Sequence, residues 1–479
     1  MREGGAGGGR PGPPARLFPR LSLFYFFYFA SLGALVPYWA LYLDARGFDA
    51  AAIGQLMGLL MAAKVVAPNL WGWLADRRER RMPVVRAGAL GAAAAFALLL
   101  HPGGYAWTAA AMLLFGAFWQ ACLPQFEAVT FGHLRERPHA YTRIRLWGSL
   151  GFIAAVAGMG PLLERWGLGL LPAALLALLA AIALAAWAVP EPPPEPAPGP
   201  PPEPPLSGQA PAAARDGLGR VLRQRRVLGL LLVCFLMQAG HGPYYTFFSL
   251  YLEGLGHPRW LVGQLWALGV AAEVLLFLAM PALLRRWSLE GLLLASLLLA
   301  ALRWTLVAWL AGSLAVLLLA QLLHAATFGL YHGAAIQLVH RLFPGRLQGR
   351  GQALYSSLSF GAGGALGAWA AGALWEGLGP AWTYQGAALL SLAGAAAARL
   401  LLAGNAPSGR RSKEGSPGEG PESGPERRRE SSAKGGGVRR APAPGPVLAQ
   451  EVLRGRPKDG PRDGPQDAAG RIDAGGARG

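Results

Sequence analysis

The sequence predicts an all-α membrane protein of twelve transmembrane helices, arranged as two pseudo-symmetric six-helix bundles. Three observations predict it. Of 479 residues, 53% are hydrophobic and only 15% are charged, and the mean hydropathy is +0.32; a soluble protein of this size carries more charge. The apolar residues fall into blocks of about 20, enough to cross a bilayer core of roughly 30 Å at about 1.5 Å per residue. The chain also repeats itself. LYLDARGFDAAAIGQL from Leu41 returns as LYLEGLGHPRWLVGQL from Leu250, so that Leu41, Tyr42, Leu43, Gly47, Gly54, Gln55 and Leu56 recur 209 residues later without a gap.

The first six spans are expected at 18–43, 52–75, 83–101, 105–132, 141–163 and 168–189. The second six are expected at 227–252, 260–284, 288–310, 313–341, 349–374 and 381–403. The domain plan is a disordered N-terminus (1–17), a first bundle (18–189), a Pro-rich cytoplasmic linker (190–226), a second bundle (227–403) and a disordered cytoplasmic tail (404–479). The linker contains EPPPEPAPGPPPEPP from Glu191, and proline at that density cannot hold a helix and forms an extended, solvated spacer. The tail is rich in Gly, Pro, Ser, Arg and Glu and lacks Trp, Tyr and Phe, so it cannot bury enough apolar surface to fold alone. The first apolar block is too long and too aromatic for the core of a signal peptide. Cys122 and Cys234 lie inside apolar spans and form neither a disulfide framework nor a metal site.

The arginines set the orientation. Arg77, Arg78, Arg80, Arg81 and Arg86 follow the second span, Arg135 and Arg137 the fourth, and Arg285 and Arg286 the eighth. Arg220, Arg223, Arg225 and Arg226 precede the seventh span, and Arg341, Arg346 and Arg350 surround the turn after the tenth. The opposite loops offer little more than Arg46, Arg165 and Arg259. The positive-inside bias places both termini and the linker in the cytoplasm, with the protein in the inner (plasma) membrane. The same distribution argues against nucleic acid as the partner implied by the net charge of +18. A second trace of duplication, GPLLERWG from Gly160 and GALWEGLG from Gly372, makes the repeats parallel, which implies a binding cavity between the halves near mid-membrane.

Ionisable groups at bilayer depth cost roughly 2.5–3.5 kcal/mol on insertion scales and persist mainly beside a partner or a wet cavity. Here they are few. Lys64 in the second span is the only lysine before the tail, and its repeat counterpart is Glu273 in the eighth. The pair reads as a substrate counter-charge and a proton-carrying carboxylate, or as a structural ion pair between the halves. Gln120, Pro124 and Glu127 share one face of the fourth span. Arg145, one turn into the fifth span, is placed for a cross-helix pair with Glu127, or else it snorkels to the headgroups. Arg303 in the ninth span and His324 in the tenth join Glu273 as candidates for a proton relay, with His324, Phe328 and Tyr331 on one stripe and His332 one position beyond it. Gln238, His241 and Tyr245 form a stripe in the seventh span that could build a polar, aromatic cavity wall with Tyr38 and Trp39. Asp76 in GWLADRRERR, which runs from Gly72, can pair with helix ends or arginines across the cytoplasmic face.

GWLADRRERR resembles the loop motif of the major facilitator superfamily, with Gly72, Leu74, Asp76, Arg77 and Arg81 at matching places and Arg80 as a departure from the usual small residue. Within that superfamily the chain resembles the phenylpropionate permease family, a branch near the lactose-permease type of sugar–proton symporters. The resemblance rests on PYWALYL, APNLWGWLAD, LPQFEAVT, RIRLWGSLGF, WALGVAAEVLLF, LRW and HAATFGLYHGAA. It implies the major facilitator fold, substrate contacts at Glu127 and Arg145, and proton coupling through Glu273, Arg303 and His324. The sugar symporters carry a second acid three residues after that histidine, where this chain has Thr327, which leaves Glu273 itself or His332 as the proton site.

The expected function is proton-coupled symport of a small organic solute by alternating access, with an aromatic or other organic acid favoured. A sugar or nucleoside symporter, a proton-driven exporter and a membrane sensor or scaffold are the alternatives. The predicted substrate-binding residues are Glu127, Arg145, Lys64, Gln120, His241 and Tyr245, and the predicted proton-coupling residues are Glu273, Arg303, His324 and His332. Gly72, Asp76, Arg77 and Arg81 form the conformational loop. The partners are substrate, protons and the lipid bilayer, and a monomer is expected. The chain has no metal-ligand spacing, nucleophile elbow or phosphate-binding glycine loop, so neither an enzyme nor a cofactor is expected.

Overall fold

A computed structural model describes residues 17–78, 80–135, 139–193 and 217–402. The predicted terminal segments and most of the linker lie outside the described residues. The first bundle comprises α1 (Leu17–Ala45), α2 (Ala50–Arg78), α3 (Met82–Ala97), α4 (Tyr105–Leu134), α5 (His139–Trp166) and α6 (Leu170–Ala188). A short helix, Leu218–Leu222, precedes the second bundle. There α7 runs through Arg225–Gly240 and Gly242–Gly254, followed by α8 (Arg259–Arg286) and α9 (Leu289–Leu310). The next helix, α10, comprises Leu314–His324, a π-helical segment Ala325–Leu330, and Tyr331–Leu342. The last two are α11 (348–378), with a second π segment at Ser357–Gly363, and α12 (380–401), separated by a non-helical Gly379.

Ten helices among the described residues, α1 to α10, are individually long and apolar enough to cross a membrane. With α11 and α12 they make the twelve spans of the predicted fold. Several helices outrun the predicted spans at the arginine-rich end, where α2 continues to Arg78 and α5 starts at His139. An α-helix satisfies its own backbone groups and needs no apolar side chains to continue into water.

The duplication is visible in the backbone. Gly47 and its counterpart Gly256 have φ 86° and 85°, and Gly167 and its counterpart Gly379 have φ 81° and 82°. The first pair ends its helices identically. Gly47 and Gly256 donate to the carbonyls of Asp44 and Glu253 at 2.8 and 2.9 Å, and Phe48 and His257 donate to Leu43 and Leu252 at 3.2 and 3.0 Å. These are Schellman caps, whose left-handed residue costs least as glycine.

The halves meet through repeat-related helix pairs, α2 on α11 and α8 on α5. A Cβ on Gly54 would lie 2.7 Å from Ala368 O, and one on Gly263 would lie 2.5 Å from Val156 O. Small residues allow such close approach where apolar side chains gain nothing by leaving lipid. These contacts lie at the end away from the arginines. Among the described residues, the hydrogen bond between the halves nearest the arginine-rich end is Asn69 to Ser357 at 3.4 Å, and Leu70 and Trp73 beyond it are exposed.

The start of the predicted linker is not a free spacer. Glu191 accepts the backbone N–H groups of Arg81 (2.7 Å) and Met82 (3.0 Å) at the N-terminus of α3. Arg86 donates to Val189 O at 2.8 Å, and Arg135 donates to Pro193 O. A carboxylate at a helix N-terminus satisfies orphan donors and meets the positive end of the helix dipole, which ties the start of the proline run to the first bundle.

Candidate functional site

The apolar run of α9 carries Arg303 to a position with no exposed surface. Its guanidinium has five donors and no acceptor. Nη1 donates to His324 Nδ1 and to Thr327 Oγ1, both at 3.0 Å, and Nη2 reaches Gln321 Oε1 at 3.5 Å. The ring centroids of Tyr244 and Trp304 each lie 4.4 Å from Cζ, which places the cation over two adjacent aromatic rings. Tyr244 also donates its hydroxyl to Gln321 at 3.0 Å. Because Arg303 can only donate, Nδ1 of His324 accepts, and in the neutral ring Nε2 carries the hydrogen. That nitrogen lies 3.7 Å from Glu273 Oε2 on α8. Arg303, His324 and Glu273, separated by up to 51 positions in sequence, thus form one chain of polar contacts.

The predicted stripe on α10 is corrected. His324, Phe328 and His332 stack with nearly parallel rings, at 5.5 and 6.0 Å between successive centroids. Tyr331 turns away and donates to Cys234 O at 3.4 Å. The π segment adds about a residue to the local turn, so spacing of four and eight keeps one face where α spacing gives four and seven. His332 Nδ1 lies 3.0 Å from the Tyr355 hydroxyl on α11.

The stripe on α7 is broken at His241, which caps one helical segment and precedes the next. His241 Nδ1 lies 2.7 Å from Met237 O and therefore carries a hydrogen, whereas Nε2 has no hydrogen-bond partner among the described residues. The ring stacks on Tyr245 at 5.8 Å. The break turns Tyr244, rather than Tyr245, toward Arg303. Gln238 is buried beside the break.

In the first bundle the expected Glu127–Arg145 pair does not form. Glu127 accepts from the Tyr141 hydroxyl at 3.2 Å, and Arg145 lies over Phe29 with Cζ 4.0 Å from the centroid. Gly148 makes that stacking possible, since a Cβ there would lie 2.8 Å from Arg145 Nη1 and 2.7 Å from the Phe29 ring. Gln120 is buried and its amide nitrogen has no partner among the described residues. Lys64 is partly buried and takes part in no hydrogen bond or ion pair among the described residues, so the structural ion pair with Glu273 is absent as well. Lys64 instead sits where α2 meets the π segment of α11, and a Cβ on Gly361 would lie 3.4 Å from its carbonyl carbon.

At the arginine-rich end, Arg81 joins the loop motif to the bundle. It pairs with Asp76 at 2.8 Å and donates to the buried Gln125 at 2.7 Å. Gly72 leaves room for that glutamine, whose Nε2 would lie 3.4 Å from an added Cβ. Arg77 leaves the motif and covers the Trp73 ring at 4.6 Å.

Tyr244, Gln321 and Trp304 were not among the predicted site residues. Gln321 had a visible signal, being the one polar residue in LAVLLLAQLLH before His324. A cavity of about 650 Å³ opens at the arginine-poor end, lined by Leu41, Asp44, Phe247, Glu253, Arg259 and Trp375 among others and by none of the predicted site residues.

Residues 18–386 match the profile of the MFS_1 like family. Two curated relatives are similar over most of their length. One is the "Probable 3-phenylpropionic acid transporter" of Escherichia coli (strain K12), 30% identical over 71% of this chain and 86% of that protein. The other is the "Maltose permease" of Geobacillus stearothermophilus, 31% identical over 72% of this chain and 84% of that protein. Among solved structures, the nucleoside transporter NupG superposes with TM-score 0.69 at 18% identity, covering 81% of this chain and 99% of that one, a likeness of fold. The chain therefore belongs to the MFS_1 like family and is a multi-pass membrane transporter of the major facilitator type, not an enzyme.

Proposed function

We propose that the protein couples uptake of a small organic solute to protons by alternating access, with the aromatic or other small organic acids as substrate class. The observation that carries this reading is the buried contact chain Arg303–His324–Glu273 at mid-span. A carboxylate that lies 3.7 Å from a histidine nitrogen and keeps some exposed surface can exchange a proton during alternating access, whereas a purely structural cluster would be fully paired. Two cations within the apolar spans support an anionic substrate. Lys64 is without a partner among the described residues, and Arg145 lies against the Tyr25 and Phe29 rings. Gln120, His241 and Glu127 add polar atoms with spare capacity, and Tyr245 adds a ring. The 3-phenylpropionic acid relative fits that chemistry, and the maltose and nucleoside relatives keep neutral polyols as the second choice. The arginine-rich end is assigned to the cytoplasm by the positive-inside bias, in the inner membrane, with a monomer as the working unit.

Proton-driven accumulation of 3-phenylpropionate in energised vesicles tests this reading. Glu273→Gln is expected to abolish uphill uptake while downhill exchange persists. Uphill uptake at the unsubstituted level in that variant removes Glu273 from coupling. A thermal shift by maltose or uridine, with none by aromatic acids, overturns the substrate class.

A further inference from the structure

The seal at the arginine-poor end is built from a repeated five-residue unit, Gly-x-x-x-Glu: GPLLE at 160–164 on α5 and GALWE at 372–376 on α11. In each copy the glycine receives the N-terminus of a helix from the other half. A Cβ on Gly160 would lie 2.6 Å from Arg259 O and 3.0 Å from Trp260 Cα at the start of α8. A Cβ on Gly372 would lie 2.5 Å from Ala50 O and 3.3 Å from Ala51 Cα at the start of α2. Ala50 and Ala51 are the repeat counterparts of Arg259 and Trp260. One turn after each glycine, the glutamate caps the helix that the glycine has admitted. Glu164 accepts the Arg259 backbone N–H at 2.7 Å, and Glu376 accepts that of Ala51 at 3.2 Å. Both carboxylates are exposed at the rim.

We propose that Glu164 and Glu376 are positioning residues of the transport cycle, a two-fold pair of trans helix caps that hold the arginine-poor end closed and are released when it opens. The first four N–H groups of a helix have no partner within it, and here the missing acceptors come from the opposite bundle. Separating the halves leaves those donors to water, so each cap adds to the closed state and nothing to the open one. The two copies are not equal. The side chain of Arg259 also forms a bidentate pair with Glu253 of its own half, at 2.5 and 3.2 Å, and donates to Leu163 O at 3.3 Å, whereas its counterpart is Ala50. The α5–α8 latch is therefore the stronger one, and opening begins at α2–α11.

The prediction is read in the full-length protein, in detergent and without substrate or a proton gradient, so it stands or falls apart from the coupling reading. Spin labels at Arg165→Cys and Leu255→Cys report the separation of the halves at this end, with Cys122 and Cys234 buried and unlabelled. Losing a cap typically changes an equilibrium about fivefold. Glu164→Ala with Glu376→Ala is expected to raise the ratio of the long-distance to the short-distance population by roughly 25-fold. Glu164→Gln with Glu376→Gln, which keeps an acceptor oxygen, is expected to retain most of the closed population. Distance distributions that are unchanged in the double alanine variant overturn the proposal. So does a double glutamine variant as open as the alanine one, which would assign the effect to charge instead of capping.

Discussion

Arginine cannot accept a hydrogen bond, so Arg303 fixes which nitrogen of His324 faces it and leaves the other facing Glu273. The same property explains Thr327, where the related sugar symporters carry an acid. A hydroxyl accepts from Arg303 at 3.0 Å without adding a second charge to be buried. Arg303→Lys keeps the charge but loses the planar fork and its contact with the Tyr244 and Trp304 rings. That change is expected to cost about 2 kcal/mol or more, read as a lowered unfolding midpoint in detergent. Lys64 and Glu273 make a sharper test. Because no ion pair joins them, the effects of Lys64→Ala and Glu273→Ala on downhill exchange are expected to add, to within roughly 0.5 kcal/mol in a double-mutant cycle. Rescue of one by the other would restore the ion-pair reading. Ionisable residues inside apolar spans are legible from the sequence, which is why Glu273, Arg303 and His324 stand out there. Gln321 and Tyr244 are ordinary residues there, and only the folded partners give them a role.

The two π segments are the elements that sequence periodicity cannot predict. Each lies against one of the two repeat-related ionisable positions. The segment in α10 brings Gly329 to Glu273, where a Cβ would lie 3.0 Å from Cγ, and the segment in α11 brings Gly361 to Lys64 and Val65. The duplication does not foretell this, because the widened turns occur in the tenth and eleventh helices without counterparts in the fourth and fifth. Gly361→Ala would place a methyl 2.8 Å from Val65 Cγ2 and 3.1 Å from its backbone nitrogen. Overpacking against backbone costs typically about 1–3 kcal/mol, and the expected outcome is impaired uptake with a lowered unfolding midpoint. Gly219→Ala, at a position with open space, serves as the control and is expected to leave both unchanged.

At the scale of the whole molecule, the halves share a scaffold and differ in chemistry. Turn glycines, seal glycines and capping glutamates recur in register, while Arg303 and His324 on one side and Glu127 and Arg145 on the other do not. Transport by alternating access needs both properties, a symmetric frame that can rock and an asymmetric interior that treats substrate and proton differently.

The sequence by itself determined the span count, the duplication, the transporter class and the few charges worth examining. It could do so because hydropathy, repeats and charges buried in apolar runs are one-dimensional signals governed by the cost of placing polar groups in hydrocarbon. The tertiary structure alone decided the pairings: Arg145 on Phe29 instead of Glu127, Lys64 unpaired, Thr327 and Gln321 on Arg303, and Glu191 on the start of α3. Which donor meets which acceptor depends on helix register to within a residue and on where glycines admit a neighbour's backbone. A π turn or a cap changes both without leaving a mark in the periodicity of the chain.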